Sequence, residues 1–184
     1  MNATDFSPMP RVQVVLEHPL YRDALGAIES AEADRRFCRH GLDHLLDVGR
    51  IAWIINLERG LGLDREVVYA AALLHDIGRS AQYACGVPHD EAGEQLAAEI
   101  LGTVDAEQRF LPDERRAIVG AVRGHREHPK CACVASSHDV VEDDEAALAR
   151  VIAEADGLSR ACWACDARDD CYWSDERKNL AIRV

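Results

Sequence analysis

Five residues have the types and spacing to bind a metal ion: His44, His75, Asp76, His125 and Asp156. His44 lies four residues before Val48 and seven before Ile51, so it shares the apolar stripe of its helix and points inward. His125 follows Ile118 by seven residues and Ala121 by four, again on the apolar side. Asp156 follows Ile152 by four and Leu148 by eight. His75 and Asp76 end a helix of alanine and leucine, where two adjacent side chains can converge on one point. A buried aspartate is costly unless it is paired or bound to a cation. Three imidazoles and a second aspartate are the partners at hand.

Taken singly, such residues have bland explanations: a lone histidine is usually a satisfied core or surface group, as His18 and His138 read. Five inward-facing positions on four helices are hard to explain as independent accidents. Mixed imidazole and carboxylate ligation suits Mn, Fe, Co, Ni or Zn, and not an all-oxygen calcium site.

The elements that must position these groups are helices. Of the 184 residues 48% are hydrophobic but only 5% aromatic, and alanine and leucine dominate over β-branched runs. An all-α, single-domain protein is expected for residues 1–184. Pro8, Pro10 and Pro19 predict an irregular first twenty residues, with a helix from about Tyr21 toward Arg36. A second helix spans Leu42 to Leu57, stopped by Gly60 and Gly62. Asp64 caps a third, which ends at Gly78 as a glycine C-cap. A loop with Gly86 and Pro88 precedes a helix from His89, another follows Pro112, and the last runs from Asp144 to Arg160. The segment from Glu127 to Asp139 reads as a long loop, and long loops in compact domains are often lids.

A net charge of −12 argues against nucleic-acid polymers and anionic membranes as partners. No stretch reaches the roughly 18 apolar residues of a membrane span, and Met1 to Arg11 lack a signal-peptide layout, so a cytoplasmic protein is expected. Seven cysteines in such a chain are reduced thiols or metal ligands before they are disulfides. Cys162, Cys165 and Cys171, in the C-terminal appendage 161–184, have the close spacing of a zinc or iron–sulfur site, with Cys131 or Cys133 as a fourth thiolate. Unligated thiols or an opportunistic disulfide are the alternatives. Cys38 and Cys85 read as small core residues.

The stretches AALLHDIGR (from Ala71), HLLDVGRIA (from His44) and EADGLSR (from Glu154) resemble the HD-domain superfamily of metal-dependent phosphohydrolases over roughly residues 35–160. The resemblance implies a helical bundle with the metals at its centre. Some members carry two more histidines between the doublet and the last aspartate, and His89 and His125 fall where those would be. It therefore implies one metal on His44, His75, Asp76 and Asp156 and a second on Asp76, His89 and His125. His40, one turn before His44, is expected to support the ligands, and His128 to face solvent.

The activity so implied is hydrolysis of a phosphate ester or anhydride in a nucleotide or other small phosphorylated metabolite, by water that a metal ion has acidified. Asp76 would orient the nucleophile, and Arg79, Arg123 and Arg126 are candidates to hold substrate. A branch of the same superfamily holds two irons and oxidises small organic substrates with dioxygen, and the ligand pattern also suits that chemistry. A nucleotide-sensing module with the site intact is a third reading.

Overall fold

The computed structural model describes residues 7–104, 109–125 and 144–183, and among them every regular element is helical. The long helices are α1 (Pro10–Glu17), α2 (Pro19–Ala31), α3 (Leu42–Arg59), α4 (Arg65–Leu74), α5 (Arg79–Cys85), α6 (His89–Thr103), α7 (Pro112–Gly124) and α8 (Asp144–Leu158). Two 3-10 turns, Cys162–Ala164 and Arg168–Asp170, follow.

The N-terminal prolines start helices where the sequence reading expected irregular chain. Pro10 and Pro19 each occupy the first helical turn, where a missing N–H costs nothing and the fixed φ is already helical. His18 separates the two helices, is extended itself, and accepts a hydrogen bond from Leu20 N on its side chain. The second helix also ends sooner than expected, at Ala31, which leaves residues 32–41 free to fold back as a connector.

At the centre runs α4, whose second half, Ala70 to Leu74, is apolar and buried on all sides. It packs against α1, α3, α7 and α8. Asp64 accepts from Glu66 N and Val67 N to cap it, and Arg11 ties that cap to α7 through Asp64, Glu66 and Glu114 at 2.7, 3.1 and 2.9 Å. Asn56 exchanges two hydrogen bonds with the Leu63 backbone and so fixes the α3–α4 turn, which Gly60 enters in the left-handed region. Buried residues of α1–α4 and α6–α8 form one continuous core.

Gly78 is not the C-cap that the sequence predicts. Its φ is −69°, open to any residue, and α4 has already ended at Leu74. Its hydrogen is required for another reason: a Cβ there would lie 2.1 Å from His89 O and 2.3 Å from Gly93 N. The turn after α4 presses directly on the start of α6. The chain then forms α5 where a loop was expected, and Cys85, expected in the core, is exposed on it.

Candidate metal centre

Five helices deliver the expected side chains to one place. His44 comes from the first turn of α3, His75 and Asp76 from the turn that ends α4, His89 from the first residue of α6, His125 from the end of α7 and Asp156 from the last turn of α8. Their ligand atoms form two groups, each within 4.8 Å: His44, His75, Asp76 and Asp156, and Asp76, His89 and His125.

Asp76 belongs to both, and its two oxygens divide the work. Oδ2 lies 3.4 Å from His75 Nε2 and 3.8 Å from His44 Nε2; Oδ1 lies 3.4 Å from His89 Nε2 and 3.6 Å from His125 Nε2. Asp156 Oδ1 completes the first group, 3.3 Å from His44 Nε2 and 3.9 Å from His75 Nε2. In the second, the Nε2 atoms of His89 and His125 stand 3.2 Å apart.

A divalent cation fits these residues. His75 and His125 each lie with Nδ1 against a backbone carbonyl, Ala72 O at 2.7 Å and Val122 O at 2.6 Å, so Nδ1 carries the proton and Nε2 presents its lone pair inward. Asp76 is 1% exposed, yet neither of its oxygens accepts a hydrogen bond of good geometry, and His75 Nε2, equally enclosed, has none. Polar atoms buried without partners are expensive, and a cation between them removes that cost.

The electrostatics agree. Burial opposes ionisation of Asp76, but His75, His125 and Arg79 outweigh it and hold the carboxyl well below its ordinary range. Asp156 is likewise depressed: burial raises it, whereas His44, Arg160 and His75 lower it by more. Burial alone would lower His75, yet Asp76 and Asp156 hold its proton affinity above the ordinary value, as in a site that attracts positive charge. His44 is pushed down to about 4, chiefly by burial.

The His44 shift has a measurable consequence in protein stripped of metal. Between pH 6.5 and about 4 the unfolded chain binds a proton that folded His44 refuses, so this contribution to stability is complete above 6.5 and lost as pH falls through 4. Burial lowers His40 too, adding in the same direction, while the raised His75 acts only above that window. The thermal midpoint of the chelated protein is expected to fall steadily from pH 6.5 to 4; a flat profile there would contradict this account of His44.

Two arginines reach the centre. Arg79 Nε lies 2.8 Å from Asp76 Oδ1, as its place after the doublet suggests. Arg160 was missed by the sequence reading: 5% exposed, it donates from Nη2 to Asp156 Oδ1 at 2.6 Å, and the same nitrogen stands 3.0 Å from His44 Nε2. A carboxylate offers about four lone-pair directions, so an arginine on one oxygen still leaves directions for a cation.

Arg123 turns elsewhere. Its guanidinium pairs with Asp90 at 2.7 Å and approaches Glu94 and Glu91 at 3.6 and 3.7 Å on an exposed, acidic face of α6. Arg126, His128 and His138, like the expected loop lid with Cys131 and Cys133, lie outside the described residues.

His40 is buried behind the first group. Its Nδ1 donates to Glu32 Oε1 at 2.5 Å, its backbone N donates to Glu32 Oε2 at 2.6 Å, and its Nε2 faces Asp76 Oδ2 at 3.9 Å. Tyr83 O–H donates to the same Glu32 oxygen. Burial opposes the Glu32 charge, but these donors hold its pKa down to about 2. Neither Glu32 nor Tyr83 was singled out from the sequence, since the fold-back after Ala31 that brings Glu32 to His40 leaves no local pattern.

A helical bundle with a shared-aspartate histidine and aspartate centre defines a class of metal-binding domain. Residues 41–161 match the family model described as HD domain, and the chain belongs to that family. It is similar to an uncharacterised protein of Clostridium beijerinckii, with 37% identity over 95% of this chain and 99% of that one. Ribonuclease Y of Lactobacillus gasseri is 31% identical over 64% of this chain, a match that spans only 19% of that enzyme. A solved structure from an uncultured Thermotogales bacterium, described as a predicted HD superfamily hydrolase, superposes with a TM-score of 0.54 over 86% of this chain and 81% of its own, at 22% identity. It shows the same fold. Among the described residues, no helix is long and apolar enough to cross a membrane.

Proposed function

We propose that the protein hydrolyses a phosphate ester or anhydride in a nucleotide or similar small metabolite, with divalent ions held by His44, His75, Asp76 and Asp156 on one side and by Asp76, His89 and His125 on the other. The observation that carries the reading is Asp76, buried between the two groups with one oxygen turned to each. Bound there, divalent ions would supply Lewis acidity, lowering the pKa of water toward neutrality and offsetting charge on phosphoryl oxygens.

The chain's own residues supply the rest. Asp76, fixed by Arg79 and stripped of solvent, orients the attacking water. His40 is neutral at pH 7, since burial lowers it, and Glu32 fixes its ring so that Nε2 can take up a proton beside Asp76. Arg160 steadies Asp156 and His44 against each other. A surface cavity bounded by Glu29, Glu32, Arg39 and Asp43 runs down to His44, and substrate enters there. Arg39 on its wall and Arg79, paired with Asp76, are the proposed phosphate contacts. A small substrate suits a chain of net charge −12 better than an RNA polymer does.

The test uses the full chain loaded separately with manganese, cobalt, nickel, zinc or iron and assayed against nucleotides and a chromogenic phosphodiester. Release of phosphate or of the chromophore that depends on metal, without oxygen uptake, is the expected result. Failure with every metal, or oxygen consumption with a bound organic substrate, would sink the hydrolase reading.

A further inference from the structure

Cys162, Cys165 and Cys171 do not stand alone at the C-terminal end. The connector between α2 and α3 folds back beside them, and Cys38, half-buried and not the core residue expected, lines the same cavity with all three. Arg36 on the connector pairs with Asp170 at 2.7 Å. Asn179 accepts from Trp163 N on its backbone oxygen and donates through its side chain to Leu158 O, so the cysteine segment is docked on the end of α8. None of the four is in a disulfide. Burial pushes the Cys38 thiol up.

We propose that Cys38, Cys162, Cys165 and Cys171 ligate an iron–sulfur cluster. All four sulfurs line one partly open cavity. No three of these sulfurs belong to a group whose ligand atoms all lie within 4.8 Å of one another, whereas both His/Asp groups do. A lone tetrahedral zinc, with Zn–S of about 2.3 Å, would draw its sulfurs to roughly 3.8 Å from each other. An iron–sulfur core places irons and sulfides between its thiolates and holds them farther apart. Four thiolates also give such a core negative charge, and Arg35, Arg168 and Lys178 line the cavity to offset it, while Phe37 and Trp173 shield it from water.

The placement couples the two centres. Cys38 precedes His40 by two residues and Cys162 follows Arg160 by two, so a cluster would anchor both strands of chain that support His44, Asp76 and Asp156. It joins the connector to the C-terminal segment without help from Cys131 or Cys133.

The full chain, purified without oxygen, is assayed for acid-labile sulfide; iron alone is not diagnostic, because it can also occupy the His/Asp centre. The wild type is expected to contain labile sulfide and broad visible absorption. Cys38→Ser should lose most of both, and Cys85→Ser and the double variant Cys131→Ser/Cys133→Ser should keep them. Stoichiometric zinc without sulfide, sulfide retained in Cys38→Ser, or sulfide lost in the double variant would overturn the assignment. Should Cys38→Ser fail to fold, alkylation of wild type decides: Cys85 is expected to react at once, the four ligands only after acid removes the cluster. Equal reaction of all five as purified would equally overturn it.

Discussion

Asp76→Ala is expected to abolish metal binding at both proposed positions together and to lower the proposed phosphohydrolase activity by roughly a thousandfold, about 4 kcal/mol of transition-state stabilisation. The size follows from the geometry. Each other ligand serves one group, but Asp76 serves two, with Oδ2 turned to His75 and His44 and Oδ1 to His89 and His125. Its removal also leaves Arg79, buried at 18% side-chain exposure, without its carboxylate. By contrast His125→Ala should spare the first group. A loss in Asp76→Ala no deeper than that in His125→Ala, measured as kcat/KM with the same metal, would contradict the bridging role.

The second large effect concerns stability. Gly78→Ala is expected to destabilise the fold by about 3 kcal/mol, at the upper end of what overpacking costs. The added methyl would stand 2.1 Å from His89 O and 2.3 Å from Gly93 N, both backbone atoms that cannot step aside as a side-chain tip can. For a chain of this size that corresponds to a drop in Tm of roughly 6 to 12 °C. The strain falls on the first turn of α6, so the second metal group, which includes His89, should weaken before the first. Gly102→Ala, where a Cβ meets nothing within 4 Å, is the control. Equal midpoints for the two variants would show that the α4 turn and α6 can separate freely.

The histidine and aspartate centre was legible because helices write burial into their spacing. His44, His125 and Asp156 announce themselves by sharing stripes with Val48, Val122 and Ile152, and the doublet by ending a helix of alanines and leucines. His89 came only through resemblance, since it opens its helix and no apolar stripe precedes it. Arg160 and Glu32 escaped for different reasons. Arg160 sits one turn beyond Asp156 but past the end of α8, where a helical register is no longer a safe guide. Glu32 meets His40 only because α2 stops at Ala31.

Contacts across the fold were the harder class. Cys38 is separated from Cys162 by more than a hundred residues, so spacing could join Cys162, Cys165 and Cys171 but could not supply the fourth member. The prolines near the N-terminus misled because Pro breaks a helix interior and favours a helix start, and only the following residues decide which. Gly78 was recognised as special for the wrong reason: close backbone approach and left-handed φ both select glycine.

Metal content by mass spectrometry, on wild type and Asp76→Ala purified without chelator, tests the centre most directly. The account predicts up to two transition-metal ions per wild-type chain beyond any held by the cysteines, and loss of those ions in the variant. Equal metal in both proteins, or none beyond the cysteine-bound fraction in either, would contradict it.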